Sequence, residues 1–164
     1  MNIRIEDVTQ ENFAEFGRLV EQPGRAADAA GPGWQWWGEV DALPVRDRPY
    51  ALGLLNLTPG ALEADWAERH MQSEELIAPL TGDCLVYVGP ADHAGEPERL
   101  ADFERFRMFR VRPGQVVILN PGVWHGAPLA DAGPAQALVI LLQGTAAQDL
   151  VMARFAETPL RFEG

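Results

Sequence analysis

Cysteine is almost absent. The single Cys84 excludes an intrachain disulfide and a cysteine-based zinc cluster. Basic residues are scarce: 13 Lys+Arg stand against 24 Asp+Glu, a net charge of −11. A surface that negative repels phosphate backbones, and no basic stripe offsets it, so no nucleic-acid partner is expected. Long apolar runs are missing. The longest purely aliphatic stretch covers residues 137–142, far short of the roughly 20 residues of a membrane span, so no membrane partner is expected. Residues 1–7 hold no apolar core of a secretory signal. These absences lead to the expectation of a cytoplasmic protein. No internal repeat and no linker divides the chain, so one domain over residues 1–164 is expected.

What is present is globular. Hydrophobic residues make up 47% and charged residues 23%, a composition that buries a core. With 16 Gly and 13 Pro, the chain has many turns, which a helical bundle does not use. Residues 9–20 read as an N-terminal helix within a helical segment 1–24. Thr9 caps it, Phe13, Phe16 and Val20 form its apolar stripe, and Pro23-Gly24 ends it. Residues 25–33 read as a loop. The period then becomes two. Strands are expected at 34–38, 50–57, 66–70, 76–80, 84–88, 106–112, 116–119 and 137–142, separated by Gly and Pro turns. The class is all-β, a barrel or sandwich over 34–142, with a short C-terminal helix over 145–156 capped by Thr145.

The chain has three histidines, His70, His93 and His125. His93 sits in a turn-rich stretch and reads as solvated. Glu68 and His70 are two apart on an extended segment and therefore share a face, while Arg69 points away. Glu75 follows on the next strand. The stretch Gly114 to His125 is a turn, an apolar strand, a Pro121-Gly122 turn and a histidine. If the two stretches lie side by side, His70, Glu75, His125 and Glu68 can meet. That donor set suits a divalent manganese, iron, nickel or zinc ion rather than copper(I).

These stretches resemble the two motifs of the cupin superfamily. The first runs His-x-His, three or four residues, Glu, six residues, Gly; here it is Glu68-x-His70, four residues, Glu75, six residues, Gly82. The second runs Gly, five residues, Pro-x-Gly, two residues, His; here Asn120 replaces the proline between Gly114 and Gly122-x-x-His125. The resemblance implies a jelly-roll β-barrel. More closely, the chain is similar to the ureidoglycolate lyase family. The similarity lies in Asn12-Phe-Ala-Glu-Phe-Gly-Arg-Leu-Val20, in Glu68-Arg69-His70, and in Trp124-His125 followed by Pro128-Leu129. It departs where the family commonly has Gln for Glu75, Tyr-His for Leu119-Asn120, a second His for Gly126, and Asp-Arg-Gly-Gly for residues 142–145.

The resemblance implies metal-assisted cleavage of ureidoglycolate, or a related small hydroxy acid amide, to glyoxylate and urea, within purine (allantoin) catabolism. His70, Glu75 and His125 would be metal ligands, and Glu68 a fourth ligand or the base; Glu68, His70 and His125 are the catalytic candidates. A small anionic substrate needs a cationic anchor. Arg105, Arg107 and Arg110 are candidates, with outer-face charges as the alternative. Tyr87 is either a proton donor to substrate or a core tyrosine. Trp34 and Trp36 share a face that caps the pocket, forms a subunit contact, or packs in the core. Trp124 is read as packing. Bare edge strands and these tryptophans favour a homodimer. The competing functions are a cupin isomerase or dioxygenase on another small carboxylate, and a non-catalytic small-molecule binder.

Overall fold

The computed structural model describes residues 1–155 and 159–164. In chain order the elements are β1 (Asn2–Asp7), α1 (Gln10–Phe13), β2 (Gly17–Val20), β3 (Ala29–Gly31), β4 (Trp34–Trp36), β5 (Tyr50–Leu57), β6 (Glu63–Ala64), β7 (Trp66–Arg69) and β8 (Glu75–Thr81). They continue with β9 (Cys84–Gly89), β10 (Arg107–Val111), β11 (Val116–Leu119), β12 (Trp124–His125), β13 (Leu129–Ala130), β14 (Ala135–Leu142), α2 (Thr145–Gln148), β15 (Val151–Arg154) and β16 (Leu160–Glu163). The strands form two main sheets. One runs β15-β7-β12-β9-β10-β1-β16-β6, with β13 also on β9; the other runs β2-β11-β8-β14-β5. The two sheets face each other as the jelly-roll barrel of a cupin, so the all-β expectation holds.

The core follows from side-chain alternation. Every residue of β9 is buried. Cys84, Val86 and Val88 point between the sheets, where they meet Phe13, Phe16, Ile77 and Phe109. Leu85 and Tyr87 point the other way, into a second cluster with Trp124, Met108, Phe106 and Phe162. A strand covered on both faces reads as an unbroken apolar run. The free Cys84 thiol lies in this core, and burial pushes its pKa up to about 11.

Several expectations are corrected. The N-terminal helix is one turn, α1, with Thr9 and Asn12 forming a capping box. Residues 17–20 are a strand instead, because Gly17 lies against β11 so closely that a Cβ would sit 1.9 Å from the Ile118 carbonyl oxygen. Leu19 is buried there with Gly17, and Val20 is only half-buried. Residues 29–31 are not loop but pair with 34–36 as a hairpin. The C-terminal helix is only α2, followed by β15, and its expected last residue, Ala156, lies outside the described residues. Thr145 is not its cap; Gly144 holds that position, and the Thr145 hydroxyl donates to the Leu142 carbonyl at 2.7 Å. Strands β1, β2, β15 and β16 extend the sheets beyond 34–142 at both ends. Among the described residues, no helix is long and apolar enough to cross a membrane.

Candidate active site

The site forms where the two sheets come together. His125 on β12 sits directly opposite Glu68 on β7. Glu75 opens β8 in the other sheet, opposite Leu119. His70 follows β7 at once, and its backbone carbonyl accepts the Gly122 N–H at 2.7 Å. The Pro121-Gly122 turn thereby ties the two sequence stretches together. His70, Glu75 and His125 are buried and Glu68 is half-buried. The structure thus brings all four candidate ligands to one place.

Hydrogen bonding fixes both imidazoles. His70 Nδ1 lies 3.1 Å from the Asp149 carbonyl oxygen, and His125 Nδ1 lies 2.9 Å from that of Val123. A carbonyl oxygen only accepts, so each Nδ1 carries the proton. The Nε2 atom of each ring is thereby turned toward Glu75 Oε2, at 3.1 and 3.3 Å. Two lone pairs around a carboxylate oxygen repel it unless a proton or a cation intervenes. A donor atom from each of Glu68, His70 and His125 lies within 4.8 Å of the others. Imidazoles pinned through Nδ1–H to backbone carbonyls are the usual arrangement of metal-binding histidines. The residues present therefore fit a divalent cation.

The electrostatics agree with the geometry. Burial pushes the Glu75 carboxyl up, but the imidazoles of His125 and His70 outweigh it and hold it far below the usual carboxylate range. Burial pushes His125 down, and Glu75 outweighs that, so its proton affinity is raised. Glu68 has no such direct partner; burial raises its pKa more than the two imidazoles lower it, with Glu75 adding to the rise.

The cluster opens into a cavity of about 280 Å³. Its walls are mostly apolar, with Leu55, Val139, Leu141, Pro128 and Leu150 beside Glu68, His70 and Glu75. Among the described residues no arginine lines it, and the chain contains no lysine. Arg107 is not there: it pairs with Glu6 at 2.6 Å and lies over the Phe109 ring. Arg110 is held by Asp131 at 2.6 Å and Asp7 at 3.3 Å. Arg105 precedes β10 and pairs with Asp92 and Glu15. All three are neutralised by carboxylates, and none of them lines the cavity. Tyr87 points to the opposite side of β9, and its hydroxyl donates to the Trp66 carbonyl at 2.8 Å. Trp36 is 61% exposed and Trp34 53% exposed on the β3–β4 hairpin. Neither tryptophan lines the cavity, and neither packs in the core.

Two residues beside the cluster carry more structure than their sequence positions announce. Arg69 does point away from His70, but it is fully buried rather than solvated. Its guanidinium donates to the carbonyls of Asp92 (2.7 Å), Pro97 (2.9 Å), Glu96 (3.0 Å) and His93 (3.3 Å), and lies 4.4 Å from the Trp124 ring centroid. It pins the 92–97 loop across β7 and β12, the two strands that carry Glu68 and His125. Arg69→Met would orphan four carbonyls, each costing on the order of 1 kcal/mol or more when buried. Urea denaturation is expected to show a loss of about 3 kcal/mol or more; an unchanged midpoint would contradict this role. Asp149 is the second such residue; nothing in its sequence surroundings marks it.

Fold and cluster together define a cupin with a two-histidine, two-carboxylate centre. The chain belongs to the ureidoglycolate lyase family, whose model matches residues 1–162, and it is a lyase-like enzyme. The ureidoglycolate lyase 2 of Rhizobium meliloti (strain 1021) is 28% identical over 127 residues, covering 74% of each chain. Among solved structures, the sugar 3,4-ketoisomerase QdtA of Thermoanaerobacterium thermosaccharolyticum in complex with TDP matches with a TM-score of 0.51 at 13% identity. That match covers 81% of this chain and 85% of the other. A mutant of the same enzyme in complex with TDP-4-keto-6-deoxyglucose gives the same score and identity over 81% and 84%. These two likenesses bear on the fold alone.

Proposed function

We propose that this protein cleaves the C–N bond of ureidoglycolate, or a closely related small hydroxy acid amide, to release glyoxylate and urea. The observation that carries the reading is the pair of imidazoles, each protonated at Nδ1 and aimed through Nε2 at one carboxylate oxygen. His70, His125 and Glu75 would hold a divalent cation, with Glu68 as fourth ligand or as base. Bound there, such a cation supplies the positive charge that an anionic substrate needs and that no arginine in the wall provides, and it acidifies the hydroxyl of a chelated hydroxy acid.

The chain's own groups handle the protons. In the substrate one carbon bears a hydroxyl, a carboxylate and the ureido nitrogen. The hydroxyl proton must leave as the C–O bond becomes a carbonyl, while the C–N electron pair departs with the nitrogen and takes up a proton. Glu68 is suited to this transfer, since burial has raised its proton affinity above that of an ordinary carboxylate. Leu55, Val139 and Leu141 line the cavity with apolar side chains that offer the collapsing carbinolamine no competing proton donor. Metal-replete protein incubated with ureidoglycolate should release glyoxylate, and His125→Ala should not; equal rates in the two would end this reading.

The reading includes a homodimer in a reducing, cytoplasmic setting, where the buried Cys84 stays a free thiol. The outer face of the smaller sheet carries Leu52, Leu54, Leu76, Ala78, Leu138 and Ile140, which pairing across β5, β14 and β8 places side by side. An antiparallel sheet normally turns polar residues outward. Leu52 is 73% exposed and Leu54 66%. These positions are uncharged in a chain of net charge −11, so a second copy can meet the face without charge repulsion. Light scattering is expected to find a dimer for the parent and a monomer for Leu54→Asp. A Leu54→Asp variant that stays dimeric would place the contact elsewhere.

A further inference from the structure

His70 is gripped twice by one residue distant in sequence. The Asp149 carbonyl takes the ring's Nδ1–H at 3.1 Å. The Asp149 carboxylate, buried at the end of α2, accepts the next two backbone amides: Met71 N–H on Oδ1 at 2.9 Å and Gln72 N–H on Oδ2 at 2.8 Å. Both carboxylate oxygens are thus committed, which holds the side chain in one rotamer. The 70–74 connector has other ties. The His70 carbonyl accepts the Gly122 N–H, and the Ser73 hydroxyl accepts the Leu142 N–H at 2.9 Å while donating to the Glu74 carbonyl at 2.7 Å. Neither of these touches the imidazole. Among the described residues, Asp149 alone holds both the ring and the backbone that carries it.

We propose that Asp149 is a positioning residue that sets the orientation of His70, and that it couples this orientation to the segment closing the cavity. The proposal rests on the reading of His70 as a metal ligand. Ala146 and Leu150, on either side of Asp149, form part of the cavity wall. Any displacement of α2 from the cavity therefore pulls on the Nδ1–H bond and on the 71–72 turn together. A ring freed at Nδ1 rotates and exchanges tautomers, and its Nε2 lone pair no longer points at Glu75. The carboxylate supplies the anchorage, since the carbonyl is common to every residue type at that position.

The test uses the full-length protein and the variants Asp149→Ala, Asp149→Asn and Thr145→Ala. Thr145 is the comparison because its hydroxyl bonds Leu142 in the same segment and not the His70 ring. Nitrogen-15 NMR of the metal-free proteins reads the hydrogen-bonded Nδ1–H of His70. Electron paramagnetic resonance of free manganese(II) reads the affinity for that ion. Asp149→Ala is expected to lose the Nδ1–H signal and to weaken manganese binding about 10–100-fold, as loss of an outer partner of a ligand does. Asp149→Asn, which keeps one acceptor, should fall between. Thr145→Ala should lower the melting temperature and leave both readouts in place.

Parental affinity and an intact Nδ1–H signal in Asp149→Ala would overturn the proposal. Equal losses in Thr145→Ala would also overturn it, by reducing the effect to a general loosening of α2. If the parent binds no manganese, the cation reading fails, while the Nδ1–H comparison still decides the role of Asp149.

Discussion

In a Glu75→Ala variant, elemental analysis is expected to find divalent metal at background, and glyoxylate release is expected to vanish with it. Among the described residues, Glu75 is the one carboxylate within hydrogen-bond distance of both Nε2 atoms. Its removal leaves two imidazoles and the half-buried Glu68 around a gap. Losing an outer partner of a ligand costs roughly 10–100-fold in affinity, and losing a donor that faces both imidazoles should cost more. Glu75→Gln is the sharper variant, because it keeps the side chain's size and removes only its charge. An amide oxygen still donates a lone pair but no charge, so retention at reduced affinity is expected. Affinity should also fall as pH falls, since protons compete for the Nε2 lone pairs. Glu75 raises the proton affinity of His125, so metal uptake near neutrality should release protons, and a pH-stat titration would measure them. Full metal content in Glu75→Ala would remove Glu75 from the ligand set.

Much of this centre is legible in the sequence because strand parity is a rigid rule. Glu68 and His70 share a face by being two apart, and the Gly122 turn returns His125 beside them. The strand at 50–57 and that at 116–119 agree with β5 and β11 residue for residue. Period fails where two readings coincide. Phe13 and Phe16 are three apart, which suits a helix, yet both serve a single turn followed by a strand that Gly17 seats against Ile118. The alternation Ile3, Ile5 and Leu160, Phe162 was a strand signal too short to stand out between polar neighbours. Arginines were harder to place. Parity put Arg69 on the far side of β7 correctly, but only the fold shows a loop of carbonyls waiting there. Charge alone could not separate Arg107 and Arg110 from a substrate anchor, since their partners, Glu6, Asp7 and Asp131, are remote in sequence.

Gly126→Ala is expected to lower the stability of the fold by about 3 kcal/mol or more, and Gly126→His by more still. A Cβ built on Gly126 would lie 1.7 Å from the Tyr87 hydroxyl oxygen and 2.4 Å from Cζ of the same ring. No rotamer change of the new side chain relieves this, because the Cβ position is set by the backbone. Tyr87 must move instead. It is fully enclosed, stacked on Phe162 at 5.6 Å between ring centroids, and it donates to the Trp66 carbonyl. Moving it breaks that bond and leaves a carbonyl of β7 unpaired two residues before Glu68. For a chain of this length the loss corresponds to a fall in melting temperature of roughly 6–12 °C. A second histidine directly after His125 therefore has no room here while Tyr87 keeps its position. Replacing Tyr87 with Leu removes the obstructing ring end, so Gly126→Ala should cost less in that background than in the parent. Coupling of this sign in a double-mutant cycle, read from calorimetric melting, is the check. A parental melting temperature for Gly126→Ala alone would show that Tyr87 yields freely, and space would then not be what keeps a larger residue out of this position.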